Sequence, residues 1–328
     1  MSLVVSSLSK KFGTKTVVDN LSFEMKEPGV YALLGTNGAG KTTAIRMMLG
    51  MLSRNSGEVL WGGLPLSTST CNIGYLAEER GLYPKYTLLD QLVYFAQLRG
   101  ADKAEAKRRI RYWSSRLDVD EYIYPTKPAR RTAFSGMRGA PGAPAEIPLP
   151  SRKADQLSKG NQQKIQLMTA LLSDPELIVL DEPMSGLDPV NTDLFKGIIR
   201  DEIAKGKYLI MSSHQMATIE EFCTDITILD RSKTVLQGNL NAIKKQYGRV
   251  NLLLKTECDI SGHIRESGAT IVSEKEFEYY IKVTGEGQAN LLLGRLIGNG
   301  ITVIRFDLRE PSLHEIFVEV VGGNHEAE

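Results

Sequence analysis

A glycine-rich octapeptide, Gly35 to Thr42, constrains this chain more than any other stretch. Its sequence, GTNGAGKT, matches the pattern G-x-x-x-x-G-K-[ST] of phosphate-binding loops. The apolar run Val30 to Leu34 precedes the loop and predicts a buried strand, and the segment Thr43 to Leu52 predicts a helix. Strand, loop and helix therefore occur in the order that such a loop requires.

Each residue type in this loop has a physical reason. Glycines let successive backbone N–H groups turn toward phosphate oxygens at a helix N-terminus, where the dipole favours an anion. Lys41 adds a positive charge for the β- and γ-phosphates, and Thr42 adds a hydroxyl for Mg²⁺. We therefore predict that the chain binds a nucleoside triphosphate with Mg²⁺. The candidate nucleotide-binding residues of the loop are Gly35, Thr36, Asn37, Gly38, Ala39, Gly40, Lys41, Thr42 and Thr43.

A second apolar run, Leu177 to Leu180, ends in two adjacent carboxylates, Asp181 and Glu182. The run has the length of a buried parallel strand, and the carboxyl ends of such strands lie near bound phosphates. Asp181 is a candidate Mg²⁺ ligand, and Glu182 is a candidate for orienting and polarising the attacking water. Alone, this pattern is also typical of a capped helix or a turn. Together with the phosphate loop, it predicts a hydrolytic site.

The segment Leu157 to Asn161, LSKGN, resembles the LSGGQ signature of ATP-binding cassette (ABC) proteins. The resemblance covers roughly Leu3 to Gly238, and its motifs follow in family order. They are Phe12, similar to the aromatic residue that stacks on adenine; IGYLAEERGLYP, in the place of the Q-loop; Ser185 to Asp188, similar to the D-loop; and His214, similar to the switch histidine. A core position for Phe12 and a structural role for His214 are the alternatives.

The resemblance implies a fold and a mechanism. The expected fold class is α/β, a P-loop NTPase cassette with a RecA-like core and a helical lobe, followed by a small α+β domain. Two cassettes would pack head to tail, so that ATP held by Lys41 and Thr42 of one copy is covered by the signature of the other. The implied catalytic residues are Glu182, His214 and Lys41; the further nucleotide contacts are Phe12, Glu78, Leu157, Ser158, Gly160 and Asp188; the implied metal ligands are Thr42, Asp181 and Glu78.

Two motifs depart from the family pattern. Glu78 stands where the Q-loop has glutamine, and the signature reads LSKGN instead of LSGGQ. The Glu78 carboxylate could still bind Mg²⁺, although it adds negative charge near the phosphates. The stretches YLAEERGLYP and LSKGNQQK together resemble one branch of the family, the cassettes of bacterial export systems for sodium, drugs or antimicrobial peptides. The resemblance therefore implies an exporter.

The resemblance also divides the chain at about residue 240. Residues 1–240 would form the cassette, with the helical lobe at about 86–172, and residues 241–328 would form an accessory domain. From Val250 to Val321, strand and helix patterns follow the order β-α-β-β-α-β, which resembles a ferredoxin-like unit. We expect this domain to act in regulation or dimer contact, with scaffolding as the alternative.

The stretch Pro125 to Asp155 is rich in proline and glycine and lies between Lys41 and Asp181, which one nucleotide site needs. It is therefore an insert within the cassette, and we predict a mobile surface loop. Its basic residues could contact acidic lipid headgroups or a membrane partner, and a loop without a role is the alternative. These basic residues are Lys127, Arg130, Arg131, Arg138, Arg152 and Lys153.

Charge and hydropathy limit the partners. The formal net charge is +1 and no basic tail is present, so we expect no nucleic-acid partner. No window approaches the roughly 18 apolar residues that span a bilayer. The resemblance to ABC proteins implies as partners separate transmembrane permease subunits and a second cassette, identical or related, at the cytoplasmic face of the membrane. Tyr83, Tyr86 and Tyr94 are candidates for contact with the permease, and burial within the lobe is the alternative.

Two further functions stay open beside that of a transporter ATPase. A soluble ABC ATPase acting on ribosomes or DNA usually carries two cassettes or a coiled-coil insert, whereas this sequence has one cassette and no sustained heptads. A regulatory cassette that binds ATP without turnover is disfavoured because Lys41, Asp181, Glu182 and His214 are all present.

Overall fold

The computed structural model of the protein describes residues 1–79, 81–128 and 146–326. Two compact units divide the chain. The first consists of Met1–Leu33, Asn37–His214 and Arg231–Lys233, and the second consists of Leu34–Thr36, Gln215–Asp230 and the residues from Thr234 onward. The predicted domain boundary at residue 240 stays a prediction.

The strands and helices of the cassette segment up to residue 214 alternate as an α/β fold requires. The strands are β1 (Leu3–Phe12), β2 (Lys15–Met25), β3 (Gly29–Gly35), β4 (Ser56–Trp61), β5 (Leu64–Pro65), β6 (Ile73–Leu76), β7 (Thr126–Pro128), β8 (Glu146–Pro148), β9 (Leu177–Asp181) and β10 (Tyr208–Ser213). The helices are α1 (Lys41–Met48), α2 (Leu88–Leu98), α3 (Lys103–Arg116), α4 (Asp120–Ile123), α5 (Lys159–Leu171) and α6 (Pro189–Ala204), with a 3₁₀ turn at Ala154–Gln156.

Two sets of neighbouring strands form the β-structure at the centre of the first unit. One has the order β5-β4-β1-β2, in which the pairs β1–β2, β1–β4 and β4–β5 are antiparallel. The other has the order β3-β10-β9-β6, in which the pairs β9–β10 and β6–β9 are parallel. Strands β3, β9 and β10 are buried along their whole length, which explains their mostly apolar sequences; the polar residues of β9 and β10 stand at the ends, Asp181 in β9 and Ser212 and Ser213 in β10.

The register of the parallel strands brings the ends of three motifs to one edge. Ser212 of β10 lies opposite Asp181 of β9, and Leu76 of β6 lies opposite Leu180. The segments that follow β6, β9 and β10 therefore leave the sheet side by side. These segments contain Glu78, Glu182 and His214.

The predicted helix after the phosphate loop is displaced at both ends. Helix α1 begins at Lys41, directly after the left-handed Gly40 (φ 108°), instead of at Thr43. It ends at Met48 instead of Leu52, because Gly50 has a left-handed backbone (φ 69°) that stops the helix. The helix therefore starts inside the loop, which places its first turn next to the loop glycines.

Thr87 caps helix α2. Its hydroxyl accepts a hydrogen bond from the Asp90 N–H at 3.2 Å. Asp102 caps α3 and Ser158 caps α5 in the same way. A short polar side chain at each start satisfies an N–H that has no partner within the helix.

The predicted insert is described only at its ends. Residues 129–145, including Arg130, Arg131 and Arg138, lie outside the described residues. On either side of them, β7 and β8 pair antiparallel, with Thr126 opposite Pro148. The two ends of the predicted mobile loop are therefore paired as a short ladder, and the mobility of the insert stays a prediction. A two-stranded ladder accepts prolines because its outer backbone groups need no partner strand.

The second unit contains the remaining elements. They are β11 (Asp225–Asp230), β12 (Lys233–Asn239), β13 (Asn251–Thr256), β14 (Thr270–Lys275), β15 (Glu278–Lys282), β16 (Val303–Arg309), α7 (Met216–Glu220), α8 (Leu240–Tyr247), α9 (Ser261–Glu266), α10 (Glu286–Gly298) and α11 (Leu313–Glu326). Strands β13 to β16 form an antiparallel sheet with the order β14-β15-β13-β16. The predicted β-α-β-β-α-β order is confirmed, and the strand order is that of a ferredoxin-like unit.

A polar network joins strands β13 and β15 of the second unit to the start of α11. The Glu315 carboxylate accepts hydrogen bonds from Asn251 Nδ2 (2.9 Å), from the Tyr280 hydroxyl and from the backbone N–H and hydroxyl of Ser312. Burial alone would raise the pKa of Glu315, but these hydrogen bonds outweigh it and lower the pKa. Helix α11 is thereby fixed at its first turn. Among the described residues, no helix is long and apolar enough to cross a membrane.

Candidate nucleotide-binding site

A pocket of about 370 Å³ opens at the phosphate loop. Its lining comes from three parts of the first unit: the start of β2, the loop with the first turn of α1, and the segments after β6 and β9. The lining residues are Lys15, Val17, Asn37, Gly38, Gly40, Lys41, Thr42, Thr43, Glu78 and Glu182. The structure therefore brings together most of the loop residues and both glutamates that the sequence singled out.

The backbone of the loop needs its glycines. Gly38 and Gly40 have left-handed backbones (φ 82° and 108°), and a Cβ atom on Gly40 would lie 2.4 Å from the carbonyl oxygen of Val17. Only glycine permits this approach of the loop to β2. No side chain caps the N-terminus of α1, and its first turn holds no acidic residue. This arrangement fits a phosphate group as the acceptor at the helix end.

Glu182 lies between a lysine and a histidine. Its Oε1 atom is 3.4 Å from Lys41 Nζ, and its Oε2 atom is 2.9 Å from His214 Nδ1. Lys41 and Glu182 are buried, with 6% and 5% of their side chains exposed. Buried charges are tolerated when they are paired in this way. The three candidate catalytic residues therefore lie within one cluster.

Asp181 carries the feature that best fits a metal ion. It is fully buried, and its Oδ1 atom accepts hydrogen bonds from Thr42 Oγ1 (3.2 Å) and from the Ser212 hydroxyl. Its Oδ2 atom has no hydrogen-bond partner among the described residues. Burial raises the pKa of the Asp181 carboxyl group. A divalent cation at Oδ2 would offset that desolvation, so Asp181 and Thr42 fit the Mg²⁺ role predicted for them.

Glu78 and Phe12 have more open positions. Glu78 lines the pocket but is exposed, and its role toward Mg²⁺ stays a prediction. Phe12, at the end of β1, is 52% exposed, which excludes the alternative of a core residue. Its ring lies 5.1 Å from Lys10 Nζ. An exposed ring of this kind is free to stack on a flat base.

The signature residues do not line this pocket. Ser158 caps α5 by accepting a hydrogen bond from the Asn161 N–H at 3.3 Å. Gly160 lies beside the D-loop helix, because a Cβ atom on it would be 3.4 Å from Asn191 Nδ2. Asp188 caps that helix, because its Oδ1 atom accepts a hydrogen bond from the Asn191 N–H (2.9 Å). This bond lowers the pKa of the Asp188 carboxyl group. Leu157, Ser158, Gly160 and Asp188 therefore belong to a second surface, away from the described lining of the loop pocket.

Three residues at the site were not predicted from the sequence. Lys15 and Val17 line the pocket from the start of β2, where no motif marks them. Ser212 of β10 contacts the Asp181 carboxylate and the backbone N–H of Glu182, and only the pairing of β9 with β10 reveals it. A serine two positions before the switch histidine is the one signal that could have indicated it.

The α/β fold, the left-handed loop glycines and the buried carboxylates define a P-loop nucleotide-binding protein. Residues 18–185 match the family model described as "ABC transporter", and residues 238–321 match that of the "ATP-binding protein DrrA1-3-like, C-terminal domain". The chain therefore belongs to the ABC transporter family, as the motifs predicted. It is the ATP-binding subunit of such a transporter and, as in this family, an ATPase.

Several relatives match along nearly the whole chain. An ABC transporter ATP-binding protein of Bacillus subtilis, YhaQ, is 38% identical over 99% of this chain and 100% of its own length. The bacitracin transport ATP-binding protein BcrA of Bacillus licheniformis is 27% identical over 98% of this chain and 99% of its own. A solved structure titled "Structure of ATP binding subunit of ABC transporter" is 26% identical, with a TM-score of 0.62, and covers 75% of this chain and 93% of that chain.

The variant Gly40→Ala tests the role of the phosphate loop in ATP binding. Its Cβ atom would meet the Val17 carbonyl oxygen, so the loop must move away from β2 and we expect ATP affinity to fall at least about tenfold. Titration with a fluorescent ATP analogue measures this. Gly197→Ala is the matched control, because nothing lies within 4 Å of a Cβ atom there. Unchanged affinity in Gly40→Ala would contradict the assignment of the loop.

Proposed function

We propose that this protein hydrolyses ATP in a head-to-tail dimer of cassettes and thereby drives export through separate transmembrane subunits at the cytoplasmic face of the membrane. The observation that carries the proposal is the cluster in which Glu182 lies between Lys41 and His214, next to Asp181 and Thr42. This arrangement also favours turnover over the alternative of a cassette that only binds ATP.

The side chains of the cluster divide the work of hydrolysis. Lys41 binds phosphate charge, and Thr42 and Asp181 would hold Mg²⁺, which would neutralise charge on the phosphates. The Glu182 carboxylate accepts a hydrogen bond or a proton from the attacking water. His214 holds the Oε2 atom of Glu182 and so limits the orientations of that carboxylate. No other described carboxylate lines the pocket except Glu78, which is exposed.

The different places of the loop pocket and the signature support the proposed dimer. No signature residue is among the described lining of the loop pocket, and Ser158 stands at the N-terminus of α5, the positive end of the helix dipole. If a second copy places this end over the nucleotide, its hydroxyl and N–H groups stabilise phosphate charge only after closure. Closing on ATP and opening after hydrolysis then supplies the motion for a partner.

Export as the direction of transport rests on relatives. The linearmycin resistance ATP-binding protein LnrL of Bacillus subtilis is 26% identical over 98% of this chain and 98% of its own length. The bacitracin transport protein has a similar extent of match. We infer an exporter from this group, in line with the branch that the sequence resembles. The transported molecule would be selected by the transmembrane subunits.

A tyrosine surface is the proposed docking site for the transmembrane subunits. Tyr83, Tyr86 and Tyr94 are 51%, 65% and 52% exposed, which excludes the alternative of burial in the lobe. They line a groove of about 480 Å³ with Asp90 and Gln91.

The groove has a rigid base. The Gln91 side chain is buried; its Oε1 atom accepts from the Tyr83 N–H (2.9 Å), and its Nε2 atom donates to the carbonyl oxygens of Tyr83 and Tyr86 (3.1 Å each). The Tyr83 and Tyr86 rings lie 5.9 Å apart, edge to face. Exposed aromatic side chains on a fixed backbone are typical of interface anchors. Tyr83 of the groove belongs to the Q-loop segment IGYLAEERGLYP, which also contains Glu78 of the nucleotide pocket. A partner bound in the groove can therefore affect the nucleotide pocket through this segment.

Glu182→Gln tests the hydrolytic role. The amide keeps the shape of the side chain but cannot accept a proton, so turnover should fall about 100-fold or more while ATP binding persists. ATP-bound dimers should then accumulate, as measured by light scattering after gel filtration. Asp193→Asn, an exposed position on α6, is the control for loss of one carboxylate. Equal turnover in wild type and Glu182→Gln would contradict the assignment.

Tyr86→Ala tests the docking surface. Loss of the most exposed ring should lower the yield of transmembrane subunits that co-purify with the protein from detergent extracts at least about threefold, without changing the ATPase rate of the isolated chain. Tyr112→Ala is the matched control, because Tyr112 is 48% exposed on α3 of the same lobe. If both variants retain the membrane subunits equally, the tyrosine surface is not the docking site.

A further inference from the structure

Ser212 is a fully buried serine near the end of β10. In the parallel pairing of β9 with β10 it lies opposite Asp181. Its hydroxyl donates a hydrogen bond to Asp181 Oδ1 and accepts one from the backbone N–H of Glu182 at 3.0 Å. One side chain therefore contacts the candidate metal ligand and the backbone of the candidate base. The hydroxyl has one proton, and that proton goes to the carboxylate.

We propose that Ser212 is a positioning residue that orients both carboxylates of the site: Asp181 toward Mg²⁺ and Glu182 toward the attacking water. The proposal rests on the proposed hydrolytic function and goes beyond it, since Ser212 would touch neither nucleotide nor water itself. Its effect passes through two hydrogen bonds of opposite direction.

The first bond fixes the rotation of the Asp181 carboxylate. Two donors, Thr42 Oγ1 and Ser212 Oγ, converge on Oδ1, and Oδ2 is left without a partner among the described residues. A partial rotation of the carboxylate would move the second oxygen away from its present position, and a single remaining donor resists this less than two donors do. Ser212 therefore helps to keep one oxygen in a fixed position, available for the cation. Groups that hold metal ligands in this way tune the affinity for the metal.

The second bond fixes the backbone of Glu182. This residue has a left-handed backbone (φ 49°), which is unfavourable for a side chain other than glycine. The Ser212 hydroxyl accepts the N–H of that strained peptide and so holds it. The conformation directs the Glu182 side chain to Lys41 and His214. Without the acceptor, the peptide can relax and move the carboxylate away from both partners.

Three variants of the full chain test the proposal. Ser212→Ala removes both bonds, and Ser212→Thr keeps a hydroxyl in a strand position that tolerates β-branching. Ser114→Ala is the matched control: Ser114 is also fully buried, and its hydroxyl lies within hydrogen-bond distance of the Arg111 carbonyl oxygen (3.0 Å) and of Asp120 Oδ1, but it lies on α3. Ser114→Ala therefore removes a serine–aspartate bond of the same kind outside the pocket.

Two readouts separate positioning from general stability. The first is the Mg²⁺ concentration that gives half of the ATP-dependent rise in melting temperature, and it requires no turnover. The second is the split of ATPase activity into kcat and KM. We expect Ser212→Ala to raise the Mg²⁺ requirement and to lower kcat, each by about 10-fold or more, with little change in ATP binding in EDTA. Ser212→Thr should restore at least half of the wild-type kcat, and Ser114→Ala should change the melting temperature alone.

Each contrary result has a distinct meaning. If Ser212→Ala and Ser114→Ala lower stability alike and leave the Mg²⁺ requirement and kcat at wild-type values, Ser212 is a structural residue and the proposal is wrong while the proposed function stands. If Ser212→Thr is as impaired as Ser212→Ala although both fold, the hydroxyl is not the acting group and the proposal fails. If the wild-type protein shows no Mg²⁺-dependent response to ATP, the proposed function fails together with the role of Ser212.

Discussion

The buried carboxylate of Glu182 depends on two partners, Lys41 and His214, and the remainder of the site is arranged around this contact. An unpaired charge at 5% exposure would be costly, and removing one partner of such a buried pair costs about 3–5 kcal/mol. The three residues come from the start of α1, the end of β9 and the end of β10. The contact of Glu182 with Lys41 and His214 therefore requires the parallel register of β9 and β10. It also requires the glycines that let the loop approach β2.

The same cluster explains how binding and hydrolysis can be coupled to motion. Lys41 contacts Glu182 in this structure, and phosphate groups would compete with that carboxylate for the lysine. Binding of ATP therefore changes the charge around the candidate base, while His214 retains hold of its other oxygen. In the proposed dimer, the signature surface at Ser158 meets the pocket only from a second copy. Catalysis would then depend on closure, and the tyrosine surface would pass that closure to a membrane partner.

Much of the fold and of the site was predictable because it is encoded locally. The phosphate loop has a fixed spacing, and the unbroken apolar runs of β3 and β9 gave their strands and the position of Asp181. The order of elements in the accessory domain also follows from alternation and turns. The ends of α1 were missed, because the left-handed glycines at 40 and 50 set them and no periodicity does.

What the sequence could not supply are properties that arise from pairing and packing. Ser212 looks like an ordinary strand residue, and its contacts exist only because β10 lies beside β9 in one register. The exposure of Phe12 and Tyr86 depends on how the sheet and the lobe pack. The sequence alone therefore could not decide whether these two side chains are buried or exposed. That Ser158 is not part of the described lining of the loop pocket is likewise evident only from the folded structure. It supports a site completed by a second copy, which a single sequence can only imply by resemblance.

A mixing experiment tests that central claim most directly. Lys41→Ala disables the phosphate loop, and Ser158→Arg disables the signature surface, so dimers of either variant alone contain two defective sites. A mixed dimer contains one intact site, formed by the loop of the Ser158→Arg chain and the signature of the Lys41→Ala chain. If each site combines the loop of one chain with the signature of the other, ATPase activity should be absent from each variant alone. It should return on mixing, with up to about half of the wild-type rate per mixed dimer. Mixtures that form dimers yet stay as inactive as the separate variants would contradict the account.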